Sequence, residues 1–230
     1  MDHLRYDVRK YRSVAVRDGY GEWAATYDDP VLDLLDCGYW VGTVPWRDGK
    51  RAADLACGTG RIGVWLKERV SGPIDGVDLT PEMLEQARSK VPTRASILAD
   101  VARTPLPDDA YDLITAVLVD EHLASLDPLY EEAARIACAG SRFVLVGYHP
   151  FFLINGIPTH YDSASGEPLA IECFTSTSSA TISSLPMRRV GSSTCTKGSS
   201  MMSGTGVQTR KWRRFLDQPV SFAMVWQLGI

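Results

Sequence analysis

The sequence is poor in the residues that build metal centres and disulfide frameworks. Its five cysteines (Cys37, Cys57, Cys138, Cys173, Cys195) form an odd set without C-x-x-C spacing, and only four histidines occur in 230 residues. That pattern argues against a zinc site or a disulfide scaffold and predicts a reduced, cytoplasmic protein with no metal. Basic residues are not in excess either: 24 Lys and Arg stand against 28 Asp and Glu, a formal net charge of -4. Nucleic-acid binders carry basic clusters, so no nucleic-acid partner is expected. Long apolar runs are missing too. The longest apolar-rich stretch, Leu113 to Val119, is far shorter than the roughly 20 residues a bilayer span needs, and the first seven residues contain no apolar signal core. A soluble chain with no membrane partner is the expectation. What remains is 45% apolar and 23% charged, enough for one well-buried α/β domain and short for two.

The chain is organised around Arg51-Ala-Ala-Asp-Leu-Ala-Cys-Gly-Thr-Gly-Arg61, which reads as a strand running into a glycine-rich turn and a helix. Small apolar residues suit a buried parallel strand, Asp54 lies at its carboxyl end, and Gly58 and Gly60 let the backbone turn tightly beside a ligand. Upstream, residues 1–17 mix charge and aromatics without a convincing period and read as a loose helix or arm. From Gly19, Tyr20, Trp23, Ala24 and Tyr27 share one helical face, either packed on the core or closing as a lid over a cofactor. Val31 to Leu35 start another helix, and Trp40 to Lys50 reads as a loop.

Downstream, strands are expected at Ile74 to Leu79, Arg94 to Leu98, Tyr111 to Val119 and Arg142 to Tyr148, with helices over Arg61 to Val70, from Thr80-Pro81, and over Leu126 to Ala137. This alternation predicts a doubly wound, mostly parallel sheet with helices on both faces. Val220 to Gln227 supplies a closing strand. Residues 149–173, rich in aromatics and proline, follow the carboxyl end of the fifth strand and read as a substrate loop. The whole is one domain: 1–49 amino-terminal helices or lid, 50–148 cofactor core, 149–173 loop, 174–211 an anomalous segment, 212–230 the closing strand.

In the anomalous segment, 16 of the 31 residues from Thr175 to Thr205 are Ser or Thr, and no acid occurs between Cys173 and Asp217 while seven basic residues do. A flexible insertion is one reading. A frameshift entered near residue 174 and restored near 211 is the other. Thr and Ser codons read one nucleotide earlier give His, Tyr, Asn or Asp and Leu, Phe, Ile or Val. Thr177 to Thr181 then hides His-Leu-Leu-Ser-Asp, and the sheet would lose an outer helix and strand.

Gly58-Thr-Gly60-Arg-Ile-Gly63 satisfies G-x-G-x-x-G, with Asp78 an acid 18 positions after Gly60, so an NAD-dependent oxidoreductase is one alternative. An acid at Asp54, however, repels a pyrophosphate and suits a cationic amino group. Here the sequence resembles the class I S-adenosylmethionine-dependent methyltransferases, particularly the small-molecule group that includes ubiquinone and menaquinone biosynthesis enzymes. Asp54-Leu-Ala-Cys-Gly-Thr-Gly60 is similar to their first motif, with Ala56 in place of a usual glycine. Val77-Asp78-Leu-Thr-Pro-Glu-Met83-Leu84 is similar to the second, and Ala99-Asp100-Val101 and Tyr111-Asp112-Leu113 to the third and fourth. The resemblance spans about residues 19–150 and implies a Rossmann-like fold and S-adenosylmethionine as cofactor. It implies that Asp54 and the backbone at Ala56 and Gly58 hold the methionine portion, with Gly60 also at the cofactor, and that Asp78 accepts both ribose hydroxyls. It also implies that Leu79 packs on adenine and that Asp100 with Val101 reads the adenine edge; Met83 and, from the lid reading, Tyr20 and Tyr27 are further candidate cofactor contacts.

Methyl transfer is an in-line displacement at a sulfonium carbon, so alignment and exclusion of water matter most, and a base helps only an acceptor that must lose a proton. His122, after the fourth strand, is the first candidate base, then His149; Glu121 would orient His122 or act itself. Phe151, Phe152, His160 and Tyr161 are the candidate walls for a small aromatic or apolar acceptor. A non-catalytic cofactor-binding relic stays open as an alternative because of the anomalous segment. Neither the acceptor, the atom methylated nor the oligomeric state follows from the sequence.

Overall fold

The structure, a computed structural model, describes residues 7, 9–29, 51–90, 95–151, 159–174, 187–195 and 221–228. In chain order the elements are β1 (Arg12–Val14), α1 (Val16–Trp23), β2 (Ala52–Leu55), α2 (Arg61–Lys67), β3 (Ile74–Asp78), α3 (Pro81–Lys90), β4 (Ala95–Leu98) and β5 (Tyr111–Val117). They continue with α4 (Asp127–Ile136), β6 (Ala137–Tyr148), β7 (His160–Asp162), β8 (Pro168–Ile171), β9 (Met187–Cys195) and β10 (Ser221–Leu228).

Seven strands form one sheet in the order β4-β3-β2-β5-β6-β10-β9. The first five run parallel, and β10 turns back antiparallel beside β6 and pairs with β9. Alternation along the strands divides the core between two faces. Ala53, Leu55, Ile114, Phe143, Leu145 and Trp226 pack on one face with Leu129, Tyr130, Ala133 and Ile136 of α4. Ala52, Leu113, Val144, Val146 and Val225 pack on the other with Ile62 and Leu66 of α2. Both faces being covered explains why these strands read as nearly unbroken apolar runs. The first face is locked by three aromatics, with the Trp226 ring centroid 5.1 Å from Tyr130 and 5.5 Å from Phe143.

A second sheet, β1-β8-β7, differs from expectation. The described end of the amino-terminal arm is the strand β1, paired parallel with β8 from Arg12 opposite Leu169 to Val14 opposite Ile171. The expected substrate loop folds into the β7-β8 hairpin. These strands are three and four residues long, too short to show a period, and their pairing is remote in sequence. The small sheet packs on α1 through Trp23, Tyr161, Leu169 and Ile171.

The helix expected from Gly19 to Tyr27 is α1, which starts earlier and gives way to turns after Trp23. Met187–Cys195 of the anomalous segment forms the edge strand β9, so the outer strand that a shifted frame would cost the sheet is supplied. Residues 175–186 and 196–220, and with them the hidden reading at Thr177 to Thr181, lie outside the described residues, as do Val31 to Leu35 and Trp40 to Lys50. No helix among the described residues is long and apolar enough to cross a membrane.

Candidate active site

The parallel strands end together on one side of the sheet, where open α/β sheets bind ligands. The chain leaves β2 through a turn in which Ala56 has φ 59°, Gly58 φ 52° and Gly60 φ 82°. Cys57 N–H donates to the Val77 carbonyl at 2.9 Å, which pins the turn to β3. A Cβ built on Gly58 meets no atom within 4 Å, so the space above the turn is open to a ligand. Asp78, at the end of β3, anchors both neighbours: Gly58 N–H donates to its Oδ2 at 2.8 Å and Thr80 N–H to its Oδ1 at 2.9 Å. Burial pushes the Asp78 carboxyl up from its ordinary value, and these N–H donors oppose the shift.

Above the turn lies a pocket walled by Gly58, Asp78, Leu79, Met83, Asp100 and Val101 from the β2, β3 and β4 side. Its remaining walls come from α1 and the chain after β5, with Val16, Tyr20, Tyr27, Leu118, His122 and Leu123. Leu118 has φ 56°. Two non-glycine residues in the left-handed region, Ala56 and Leu118, thus border the same pocket, which is where backbone strain tends to collect. Asp28, beyond α1, accepts from Thr59 Oγ1 at 2.7 Å and pairs with Lys90, so the amino-terminal segment is tied to the glycine turn and to α3.

Behind Tyr20 the polar groups are ordered. The Tyr20 hydroxyl lies 2.7 Å from His122 Nε2, and His122 Nδ1 lies 2.7 Å from the Glu172 carbonyl. A carbonyl only accepts, so the proton sits on Nδ1 and Nε2 accepts from Tyr20. Glu121 Oε1 is 3.4 Å from Nε2 and accepts from Thr159 Oγ1. Burial and the neighbouring Asp120 push the Glu121 carboxyl well up. Glu121, His122 and Cys173 offer metal-ligand atoms within 4.8 Å of one another. Glu121 flanks Nε2, whereas Cys173 Sγ lies 4.0 Å from Nδ1. No single ring lone pair faces both, so the trio does not read as a metal centre.

A family model described as a methyltransferase domain matches residues 53–145, the stretch that carries this turn and these strands. Over residues 53–145 the chain is similar to that methyltransferase domain. The chain is 35% identical over 106 residues to a demethylmenaquinone methyltransferase of Thermus thermophilus, covering 44% of this chain and 48% of that one. It is 30% identical over 154 residues to a ubiquinone/menaquinone biosynthesis C-methyltransferase of Stenotrophomonas maltophilia, covering 57% and 60%. The chain therefore spans about half the length of the curated relatives it matches. A solved S-adenosylmethionine-dependent methyltransferase from Mesorhizobium loti shares the fold with a TM-score of 0.65 at 19% identity, over 86% of this chain and 99% of that one. The oxidoreductase alternative is not favoured: the G-x-G-x-x-G stretch lies inside the match to the methyltransferase-domain model.

Of the expected site residues, Tyr20, Tyr27, Ala56, Gly58, Asp78, Leu79, Met83, Asp100, Val101 and His122 line the pocket. Asp54 is buried beneath the turn, where Thr115 Oγ1 donates to its Oδ1 at 2.7 Å. Gly60 caps α2. Glu121 stands behind His122 rather than at the pocket. His149 accepts from Phe151 N–H at 3.2 Å, and Phe151 is exposed. His160 lies beside Arg9 and Tyr11, and Tyr161 stacks on Trp23 while its hydroxyl donates to Glu22 at 2.8 Å. These aromatics belong to the small sheet and its packing on α1, and they do not wall the pocket; Phe152 lies outside the described residues. The walls missed by sequence are Val16, Thr80, Val117 to Val119 and Leu123. The signal was the apolar tail of the fourth strand, which carries past β5 into the pocket.

Proposed function

We propose that the protein transfers a methyl group from S-adenosylmethionine to a small aromatic or apolar acceptor, as a single domain working in the cytoplasm. The observation that carries this reading is the pocket's two-sided chemistry. One side presents the buried Asp78 carboxylate with Asp100 beside it, over an open glycine turn; the other presents Val16, Leu118 and Leu123.

The donor set fits the cofactor. Ribose hydroxyls are donors, and the Asp78 oxygens each accept one backbone N–H and keep further lone pairs. Leu79 and Met83 give apolar contact for adenine, and Asp100 and Val101 stand at its edge. The backbone at Ala56 and Gly58 would hold the methionine portion, with Asp54 buried beneath the turn. When bound, S-adenosylmethionine supplies an electrophilic methyl group on a sulfonium. The chain's task is to hold the acceptor in line and keep water out, which the tie of Asp28 to Thr59 and Lys90 and the Tyr20, Trp23 and Tyr27 cluster support.

Calorimetry with S-adenosylhomocysteine against NADH tests the reading. Binding of the first and not the second is expected, with Asp78→Asn weakening it about 10- to 100-fold. NADH binding alone would overturn it.

A further inference from the structure

We propose that Tyr20 and His122 form a proton relay in which the Tyr20 hydroxyl takes the proton of a phenol-type acceptor while passing its own to Nε2 of His122. The relay rests on the methyltransferase reading and deepens it, because it gives the acceptor an ionisable O–H.

The order of the groups carries the inference. Tyr20 lines the pocket, and the His122 side chain is only 3% exposed. With Nδ1 donating to Glu172, Nε2 holds the one basic lone pair of the ring, and the Tyr20 O–H is committed to it at 2.7 Å. The lone pairs of Tyr20 Oη are then left for the pocket. His122 therefore reaches an acceptor through Tyr20, as a positioning residue that stores the proton. Glu121 Oε1 lies 3.4 Å from Nε2 and presents an acceptor oxygen beside it. Among the described residues, the other titratable groups around the pair are Asp120 on the same turn, Cys173 with Sγ 4.0 Å from Nδ1, Tyr27 after α1 and Tyr148 at the end of β6.

In the step, the acceptor O–H breaks and its proton bonds to Tyr20 Oη, while the former Tyr20 proton bonds to His122 Nε2. The acceptor oxygen keeps its electron pair and forms the bond to the methyl group, and the sulfur of the methyl sulfonium co-reactant keeps the C–S pair. A cation lost at sulfur is matched by one gained at His122, so the buried site keeps its net charge, which a low-dielectric pocket favours.

The test uses the full chain, its Tyr20→Phe variant and two acceptors of different acidity, 4-methylphenol and 4-nitrophenol. Tyr20→Phe is expected to keep S-adenosylhomocysteine affinity within about threefold and to lose about 100-fold on 4-methylphenol. On 4-nitrophenol, largely ionised at the assay pH, it should lose little. Nitrogen-15 NMR of the ligand-free protein should show the His122 proton on Nδ1, with the Nε2 resonance moving in Tyr20→Phe. Equal losses on both phenols, a proton on Nε2, or a wild type that binds S-adenosylhomocysteine yet methylates neither phenol would each overturn the relay and leave the cofactor reading standing. A wild type that binds no S-adenosylhomocysteine brings down both.

Discussion

The Asp120 carboxylate lies directly against the backbone of Gly147, so that a Cβ at residue 147 would overlap Oδ1. Asp120 follows β5 and Gly147 is in β6, and the contact sets how closely the turn that carries Glu121 and His122 sits on the sheet. Gly147→Ala is therefore expected to destabilise the fold by about 2 kcal/mol, as overpacking does. In an Asp120→Ala background the same change should cost clearly less. Urea melts of the four proteins of that cycle check both statements, and equal costs in the two backgrounds would show the overlap to be relieved elsewhere.

Asp120 also makes stability depend on pH. Burial pushes its carboxyl from an ordinary 3.8 up to about 7. Below pH 3.8 the group is protonated in both states and contributes nothing. Between the two values the folded protein holds a proton that the unfolded chain has released, so stability falls as pH rises through that window and levels off above about 7. Asp120→Asn should remove this slope. Its advantage over wild type should grow from pH 4 to 7, to about 4 kcal/mol at most, as read from denaturation midpoints across that range. A constant difference with pH would contradict the shift.

Ala56→Gly should stabilise the protein. Alanine at φ 59° costs roughly 1–2 kcal/mol, and glycine returns part of that as about 0.4–1 kcal/mol of added unfolded-chain entropy. The strain is the larger of the two, so a net gain of roughly 0.5–1 kcal/mol is expected, a rise of about 1–3 °C in Tm for a chain of this size. Scanning calorimetry decides it, and a fall in Tm would mean that the Ala56 methyl contributes more packing than its backbone loses.

At the far end of β2, the Arg51 guanidinium pairs with the buried Asp75 at 3.0 Å and lies 4.4 Å over the Tyr111 ring, whose hydroxyl donates to Asp75 at 2.7 Å. Arg51→Met leaves a buried carboxylate with one donor removed and should cost about 3 kcal/mol. Adding Asp75→Asn, which keeps an acceptor for Tyr111 without the charge, should recover much of the loss. Chemical denaturation of the single and double variants reads the difference.

The parallel sheet was legible because its strands are covered on both faces and its helices show a one-sided apolar pattern, as in Leu129, Tyr130, Ala133 and Ile136. Asp78 and Asp100 were legible because the first closes its strand and the second comes two residues after its own. The environment of His122 was not. Its partners, Tyr20 and the Glu172 carbonyl, lie 102 and 50 residues away, and no local pattern announces contacts at that distance. The same holds for Tyr161, which reads as a pocket aromatic but stacks on Trp23 across the small sheet. Ala56 stood out as a departure from the family's glycine, and only the positive φ supplies the reason a glycine belongs there.

The strand order carries a consequence for how the protein is made. β10 comes last of the strands along the chain, yet it lies between β6 and β9. On the ribosome, the nascent sheet must therefore wait with the open side of β6 unpaired, and β9 has no seat in it until Ser221–Leu228 has emerged. From the making of β6 until Ser221–Leu228 emerges, the apolar flank of Val144 and Val146 is bare, which makes this side of the growing chain the natural place for a chaperone to hold.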